Sequence, residues 1–248
     1  MKIFIQFDRQ FEFFLTKKKI SRGFEFFLDR NASVKDIIES FGVPHTEIGN
    51  LYFNHQKIDF SFIPGTHGIL DVHGITPPFN VQLSSNLRPK PFNTIKFIAD
   101  VNVIRLGKLM ILLGFDVDLS SSNSDNMIAQ IAKSQSRIVL TRDTALLKRN
   151  KIVYARRIRA NMPWEQLVET ITFFGLEGMI SFFSRCTACN IKLAEVEKKE
   201  VLHLLEPKTK RYFHTFFQCP QCKKVFWKGS HYDNICQKIS SIGISINH

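Results

Sequence analysis

The sequence predicts an α/β protein in three parts: a small α+β domain, a three-layer α/β/α domain with a parallel sheet, and a metal-binding ribbon. Three observations predict this order. Residues 1–75 read as strands around one helix, residues 95–184 alternate apolar strands with helices, and all five cysteines lie in the last quarter of the chain. A chain of 248 residues exceeds one domain of roughly 100–150 residues, so more than one domain is expected.

The first domain is predicted over residues 1–75. Candidate strands lie at residues 2–7, 12–15, 24–28, 51–58 and 69–73. Between the early and late strands, Ser33 is a suitable N-cap for a helix that Gly42 and Pro44 end. Strand, strand, helix and further strands is the order of a ubiquitin-like β-grasp fold. The domain lacks the terminal Gly-Gly of a conjugated modifier, so we expect it to bind a protein partner or to act as a scaffold.

A linker and then the central domain follow. Residues 76–94 contain four prolines with several serines and asparagines, which is typical of a linker, although Phe79, Val81 and Leu83 could pack on a neighbour. The predicted strands of the domain at 95–184 are residues 95–99, 115–119, 137–141 and 152–154, and the helices are residues 102–114, 125–133 and 163–174. Apolar strands alternating with helices indicate a parallel sheet covered on both faces.

The cysteines form two pairs in the last region, residues 185–248. Cys186-Thr-Ala-Cys189 and Cys219-Pro-Gln-Cys222 each place two thiolates on one side of a metal, and together they predict a tetrahedral structural zinc site in a ribbon. A redox dithiol or unligated cysteines are the alternatives. A redox pair normally occurs once and opens a helix, which favours zinc. Cys236 is expected to be an ordinary buried or surface side chain.

Three aspartates lie at one edge of the predicted parallel sheet. Asp100 ends the first strand, Asp143 follows the third, and Asp125 begins the helix after the second. The carboxyl ends of parallel strands share an edge where ligands bind, and carboxylates there suit Mg²⁺ or Mn²⁺. Such a metal can activate water and stabilise charge on a phosphate. Two structural alternatives remain: Asp125 as an acid in the first turn of a helix and Asp143 as a helix cap.

Basic residues near these acids and in the tail are candidate contacts to nucleic acid. They are Arg105, Lys108, Arg142, Arg156 and Arg157 in the central domain, and Lys224, Trp227, Lys228 and His231 in the tail. Cationic and aromatic side chains together suit phosphate contact and base stacking. The alternatives are that Trp227 packs the core of the ribbon, that His231 packs against it, and that the lysines and arginines are solvated.

Several motifs stand in a fixed order along the chain. They are Val34-Lys-Asp-Ile-Ile-Glu39 in front, Phe97-Ile-Ala-Asp-Val-Asn102 and Ile138-Val-Leu-Thr-Arg-Asp143 in the centre, and Arg185-Cys-Thr-Ala-Cys-Asn190, Cys219-Pro-Gln-Cys222 and Phe226-Trp-Lys-Gly-Ser-His231 at the end. This combination resembles the Mut-seven carboxy-terminal RNase family, in which a zinc ribbon follows a PIN-like nuclease domain. Many bacterial members carry a ubiquitin-like domain in front. The resemblance covers nearly the whole chain.

The resemblance implies a nuclease that cuts RNA with a divalent metal held by acids. By position, Asp100 is the acid of the first strand, Asp143 is the acid of the Thr-x-Asp turn, and Asp125 is the middle acid. Related nucleases often have a fourth acid, and none is assigned in this sequence. We therefore predict an endoribonuclease with structural zinc and catalytic Mg²⁺ or Mn²⁺. The alternatives are an RNA-binding protein that does not cleave and an adaptor that recruits a partner through the β-grasp domain.

The charge of the chain agrees with an RNA partner such as tRNA or rRNA. The net charge is +12, of which residues 1–94 carry +2, residues 95–184 carry +4 and residues 185–248 carry +6. A polyanion is therefore expected to meet the last two regions rather than the first. Because no apolar run reaches the roughly 20 residues of a membrane helix, and the N-terminus lacks the pattern of a signal peptide, we expect a soluble cytoplasmic protein with no membrane partner.

Overall fold

The computed structural model of the chain describes residues 1–15, 22–120 and 124–244. Its N-terminal part, as far as these residues describe it, is a mixed five-stranded sheet with the helix α1 (Val34–Ser40) packed against it. The strands are β1 (Lys2–Phe7), β2 (Phe24–Phe27), β3 (Ile48–Phe53), β4 (Gln56–Lys57) and β5 (Gly68–Gly74), in the order β2-β1-β5-β3-β4. The central strands β1 and β5 are parallel and the other pairs are antiparallel, so the predicted β-grasp fold is confirmed.

Local chemistry explains where α1 begins. The Ser33 side chain accepts the backbone N–H of Asp36 at 3.2 Å, as the sequence predicts. The predicted strand at residues 12–15 is wrong. The N–H of Leu15 donates to the carbonyl of Phe11 at 3.0 Å, and both side chains are buried. Phe11 and Leu15, four positions apart, are therefore buried by a turn, and the short apolar run that they bound resembles a strand.

The central domain is a four-stranded parallel sheet between two layers of helices. The strands are β6 (Lys96–Asp100), β7 (Asp116–Ser120), β8 (Ile138–Thr141) and β9 (Ala155–Arg157), and the helices are α2 (Ile104–Leu112), α3 (Asp125–Gln135), α4 (Thr144–Leu147) and α5 (Pro163–Phe174). Helices α2 and α5 cover one face and α3 and α4 the other, each with its own apolar core. The predicted three-layer fold is confirmed. The last strand begins three residues later than predicted: Ile152 and Tyr154 are buried and Val153 is exposed, but the pairing with β8 begins only at Ala155.

The order of the central strands is β7-β6-β8-β9, which creates a topological switch point. From β6 the chain crosses one face through α2 to reach β7 on one side. It then crosses the other face through α3 to reach β8 on the opposite side of β6. Ligands of open α/β sheets bind at the carboxyl ends of the strands where this reversal occurs. The ends of β6 and β8, with Asp100 and Thr141, form this point.

The segment at residues 76–94 connects the first two domains through packed side chains. Val81 is buried in the core of the central domain, and Leu87 in the core of the N-terminal domain. The buried Arg88 donates to the carbonyls of Ile48 at 2.8 Å and Val153 at 3.2 Å, one from each domain. Burial lowers the pKa of Arg88 to about 10, so it stays charged near pH 7. The segment therefore holds the two domains against each other.

The last region is a three-stranded antiparallel sheet followed by a helix that returns to the central domain. The elements are β10 (Ala194–Val196), α6 (Lys198–Val201), α7 (Pro207–Tyr212), β11 (Phe216–Gln218), β12 (Val225–Phe226) and α8 (Ser230–Ser241). Ile239 in α8 and Ile244 after it are buried in the core of the central domain. Both ends of the ribbon are thus fixed to that domain. Within the described ranges, none of the helices is long and apolar enough to span a membrane.

Candidate functional site

Asp100 ends β6 at the switch point and is nearly buried, with 7% of its surface exposed. Its Oδ1 accepts the backbone N–H of Val101 at 2.6 Å. Its Oδ2 accepts the hydroxyl of Thr141 at 2.7 Å and the side-chain amide of Asn102 at 2.5 Å. These donors satisfy a carboxylate that burial would otherwise destabilise, and they fix its direction at the edge of the sheet.

Asp143 lies in the turn directly after β8 and is joined to Asp100 through Thr141. The N–H of Asp143 donates to Thr141 Oγ1 at 2.9 Å, and the same hydroxyl donates to Asp100. Asp143 also caps α4, because its Oδ1 accepts the N–H of Ala145 at 2.7 Å. Asp143 is therefore a helix cap through its Oδ1, as the alternative interpretation of the sequence stated. The hydroxyl of Thr141 joins the carboxylate of Asp100 to the backbone of Asp143.

Asp125 has contacts of its own. It is in the first turn of α3 after the N-cap Ser124, and it forms an ion pair with Arg149 at 3.6 Å. This is the structural role that the sequence left open. Among the described residues, the carboxylate oxygens of Asp100, Asp125 and Asp143 do not all lie within 4.8 Å of one another.

The oxygen donors at this edge fit a hydrated divalent cation better than one enclosed by protein. Mg²⁺ usually keeps several waters and binds through one or two carboxylates together with the phosphates of its substrate. The Thr141 hydroxyl donates to the carboxylate of Asp100 and accepts the backbone N–H of Asp143, so both acids stand at this edge, at the ends of adjacent strands.

The four cysteines of the two pairs form a single cluster. Their sulfur atoms all lie within 4.8 Å of one another, and Cys186 Sγ and Cys222 Sγ, from different pairs, are 3.6 Å apart. Four ligands at the Zn–S distance of about 2.3 Å in a tetrahedron stand about 3.8 Å from each other. The cluster therefore fits a structural zinc ion. Cys236 lies in α8 and does not belong to it.

The two cysteine pairs share one backbone geometry. The residues that follow them, Asn190 and Lys223, have left-handed φ angles of 58° and 60°. The N–H of each donates to the carbonyl of the first cysteine in its pair, at 2.8 Å and 3.0 Å.

A backbone hydrogen bond from Lys224 lowers the pKa of the Cys222 thiol to about 7. By contrast, burial raises the pKa of Cys186, and a hydrogen bond with Cys222 raises the pKa of Cys189. Zinc binding would therefore displace protons from Cys186 and Cys189, because zinc requires thiolates.

A groove with a volume of about 780 Å³ lies between α2, the start of α5 and the ribbon. We call it the ribbon groove. Four of the predicted nucleic-acid contacts line it: Arg105, Lys108, Lys224 and His231. The wall also contains Trp164 and leucines of α2, and none of the described residues that line the groove is acidic. The fold thus brings together cations from two regions distant in sequence.

Trp227 and Lys228 lie beside the ribbon groove. Trp227 lines a neighbouring pocket of about 300 Å³ and packs against Phe213 and Phe216, with both pairs of ring centroids 6.4 Å apart. Lys228 Nζ lies 5.4 Å from the ring centroid of Tyr232. The core-packing alternative therefore accounts for the position of Trp227.

Arg156 is engaged in the interface between the two domains. Its guanidinium contacts Glu47 of the N-terminal domain at 2.9 Å and Glu169 of α5 at 3.0 Å, and its side chain is 11% exposed. It also stacks on the ring of Phe173, 4.1 Å from the centroid. Two carboxylates thus neutralise the guanidinium of Arg156 away from solvent. We therefore propose no contact between Arg156 and RNA.

Arg142 and Arg157 lie next to the turn that carries Asp143. Arg142 donates to the carbonyl of Ala160 at 3.1 Å, and Arg157 Nε donates to Thr144 Oγ1 at 3.2 Å. Burial lowers the pKa of Arg157, and the nearby charge of Arg142 lowers it further. Two cations therefore lie beside the acidic edge.

Sequence reasoning missed three side chains at these sites. Asn102 lies two positions after Asp100, and Thr141 lies two positions before Asp143. The spacings Asp-x-Asn and Thr-x-Asp could therefore have predicted these contacts. Trp164 was recognised only as the start of a helix. Nothing in the sequence near it indicates that α5 places it beside α2 and the ribbon.

Comparison with models of known families agrees with this architecture. Residues 95–239 match the Mut7-C RNAse domain, and residues 1–77 match the Mut7-C ubiquitin domain. No curated protein and no solved structure matched the chain. The first model alone covers more than half of the sequence. The chain therefore belongs to the Mut7-C RNAse domain family and carries the ubiquitin-like domain of that family in front.

Proposed function

We propose that the protein is an endoribonuclease, dependent on Mg²⁺ or Mn²⁺, that hydrolyses phosphodiester bonds of RNA at the carboxyl edge of its parallel sheet. The observation that carries the proposal is the link from Asp100 through Thr141 to Asp143 at the switch point of a domain of this family. Asp125 is the third acid of the proposed site. The RNA classes we propose first are tRNA and rRNA.

Each side chain at this edge has a role in the proposal. Thr141 and Asn102 hold the carboxylate of Asp100, and the backbone of the turn positions Asp143. Arg142 and Arg157 bind the phosphate on the side of Asp143. A divalent metal held by the acids would supply an activated water and stabilise the charge that develops on the phosphate.

The zinc ribbon and the front domain support this site without reacting. Cys186, Cys189, Cys219 and Cys222 hold a structural zinc, which fixes the ribbon beside the nuclease domain. The β-grasp domain is nearly neutral in charge and contacts the central domain through Glu47, while Arg88 of the connecting segment hydrogen-bonds to both domains. Its exposed side remains available to a protein partner.

The substitution Asp100→Asn tests the proposal most simply. It keeps the shape of the side chain and removes the charge that would hold the metal. We expect RNA cleavage with Mn²⁺ to fall by about 100-fold or more, because a metal contributes several kcal/mol to the stabilisation of the transition state. Asp71→Asn, which makes the same change on β5 of the N-terminal domain, should cleave like the wild type. Cleavage at the wild-type rate by Asp100→Asn would disprove the site.

A second candidate function is RNA binding without cleavage. The ion pair between Asp125 and Arg149 favours it, since this pair occupies one of the three proposed metal ligands. Titration of Mn²⁺ followed by electron paramagnetic resonance separates the two functions. Binding by the wild type and not by Asp100→Asn supports the nuclease. The absence of Mn²⁺ binding even with RNA present supports the binding function.

A further inference from the structure

The ribbon groove combines charge and aromatic surface in a way that the proposed chemistry does not use. Arg105 and Lys108 come from α2, and Lys224 and His231 come from the ribbon. Trp164, the second residue of α5, packs partly on the core of the central domain and also lines the groove. Two separate regions therefore supply cations around one large ring.

The charge of the groove selects an anionic ligand. Arg105, Lys108 and Lys224 are exposed, and the described residues that line the groove include no carboxylate to neutralise them. Arg156 differs, because Glu47 and Glu169 satisfy it within the protein. Cations that the fold leaves without acidic neighbours attract phosphates and release counterions when they bind.

The apolar wall restricts which polyanion fits. Trp164, Leu109, Leu119 and Pro163 form much of the lining. A duplex presents phosphates and riboses outward and keeps its bases stacked inside, so it would meet the cations and leave this wall uncovered. An unpaired base can stack on an indole ring while its flanking phosphates contact lysine and arginine.

We infer that the ribbon groove binds single-stranded RNA, with a base stacked on Trp164 and phosphates on Arg105, Lys108 and Lys224. This inference rests on the proposed function, because it takes RNA as the substrate. It adds that the substrate is unpaired where it crosses between the nuclease domain and the zinc ribbon.

The position of the groove agrees with a path toward the acids. Helix α2 begins four residues after Asp100, and α5 begins after β9, so both helices start at the carboxyl edge of the sheet. None of the three aspartates lines the groove. The groove is therefore a binding subsite beside the proposed chemistry and separate from it, and RNA affinity can be measured independently of cleavage.

The test measures the binding of a fluorescent single-stranded RNA of about 12 nucleotides, a length within the usual range for such sites. Fluorescence anisotropy is recorded on the full chain without added Mg²⁺ or Mn²⁺. We expect Trp164→Leu to raise the Kd about 5- to 100-fold through the loss of stacking, and Trp164→Phe, which keeps an aromatic ring, to stay within about threefold. Lys108→Ala should reduce the slope of log K against log salt by about 0.7, whereas Lys57→Ala on β4 should not change it.

Three results would overturn the inference. They are an unchanged Kd in Trp164→Leu, equal affinity for a duplex of the same sequence, and equal competition by polyglutamate. If Trp164→Leu does not fold, the salt slope of Lys108→Ala and the comparison of single-stranded with duplex RNA on the wild type still decide the matter. Asp100→Asn should bind this RNA like the wild type. Cleavage by Asp100→Asn would contradict the proposed nuclease site alone, and normal binding by Trp164→Leu would contradict the groove alone.

Discussion

Two basic clusters of this chain look alike in sequence and differ in structure. Arg156, at the domain interface, is matched by Glu47 and Glu169 and is 11% exposed. Arg105 and Lys108, on α2, are exposed in a groove whose described lining contains no acid. Positive charge thus holds two domains together in one place and remains available to a ligand in the other. What separates the two roles is the presence of a buried carboxylate.

Loss of a zinc ligand should have the largest effect on RNA binding. It should disturb the ribbon groove and leave the domain interface of Glu47 and Arg156 intact. Structural zinc sites contribute about 10–16 kcal/mol of binding free energy, and here the site holds the ribbon side of the groove, including Lys224. We expect Cys219→Ser to lose its zinc and to bind single-stranded RNA at least tenfold more weakly. Zinc content by atomic absorption and RNA affinity by anisotropy measure this.

Cys236→Ser is the matched control for that variant. Cys236 lies in α8 outside the cluster of four sulfurs, so we expect this variant to keep one zinc per chain and the RNA affinity of the wild type. If Cys219→Ser kept its zinc, or if it lost zinc and bound RNA normally, the ribbon would not form a wall of the binding groove.

Removal of the carboxylate of Glu47 from the domain interface should have the next largest effect, which is a loss of stability. Glu47 is 4% exposed and contacts Arg156 at 2.9 Å, so Glu47→Gln leaves a buried cation with less compensation. Breaking a buried pair in this way costs about 3–5 kcal/mol. Denaturation in urea measures the free energy of unfolding.

The exposed pair of Glu25 and Lys2 provides the comparison within the same domain. Their side chains are 54% and 44% exposed at a distance of 2.7 Å, and surface pairs contribute only about 0–1 kcal/mol. Glu25→Gln should therefore change stability little. Equal effects from the two substitutions would mean that the interface of Glu47 and Arg156 does not hold the domains together.

Substitution of a single arginine in each basic cluster compares the two clusters directly, and Arg105→Gln should give the smallest effect of these predictions. We expect Arg105→Gln to weaken RNA binding several-fold and to reduce the salt slope by about 0.7, with stability changed by no more than about 0.5 kcal/mol. Arg156→Gln should do the reverse, lowering stability without a change in the salt slope. Anisotropy across a salt series and urea denaturation are applied to both. If Arg156→Gln reduced the salt slope of RNA binding, Arg156 would be a contact to RNA and the distinction between the two clusters would be wrong.

Features encoded over short stretches could be predicted from the sequence. Ser33 caps α1, Asp100 ends β6 and Asp143 follows β8 because apolar periodicity and capping chemistry act within a few residues. The four zinc ligands were predictable because the spacing of each cysteine pair is itself the chemistry.

Features that depend on distant partners could not be predicted. The role of Arg156 depends on Glu47, which lies 109 positions away, and the position of Trp164 depends on how α5 packs beside α2. The predicted strand at residues 12–15 failed for a local reason. Phe11 and Leu15 share one buried side of a turn, and a short apolar run fits a strand equally well.

In the proposed function, the chemistry lies at Asp100 and the RNA strand binds in the ribbon groove. The most direct test is the rate of cleavage with Mn²⁺ at saturating single-stranded RNA, measured for Asp100→Asn and Trp164→Leu side by side. We predict that Asp100→Asn binds RNA normally and cleaves it at least about 100-fold more slowly, and that Trp164→Leu cleaves close to the wild-type rate once saturated. Cleavage by Asp100→Asn at the wild-type rate would contradict the proposed function.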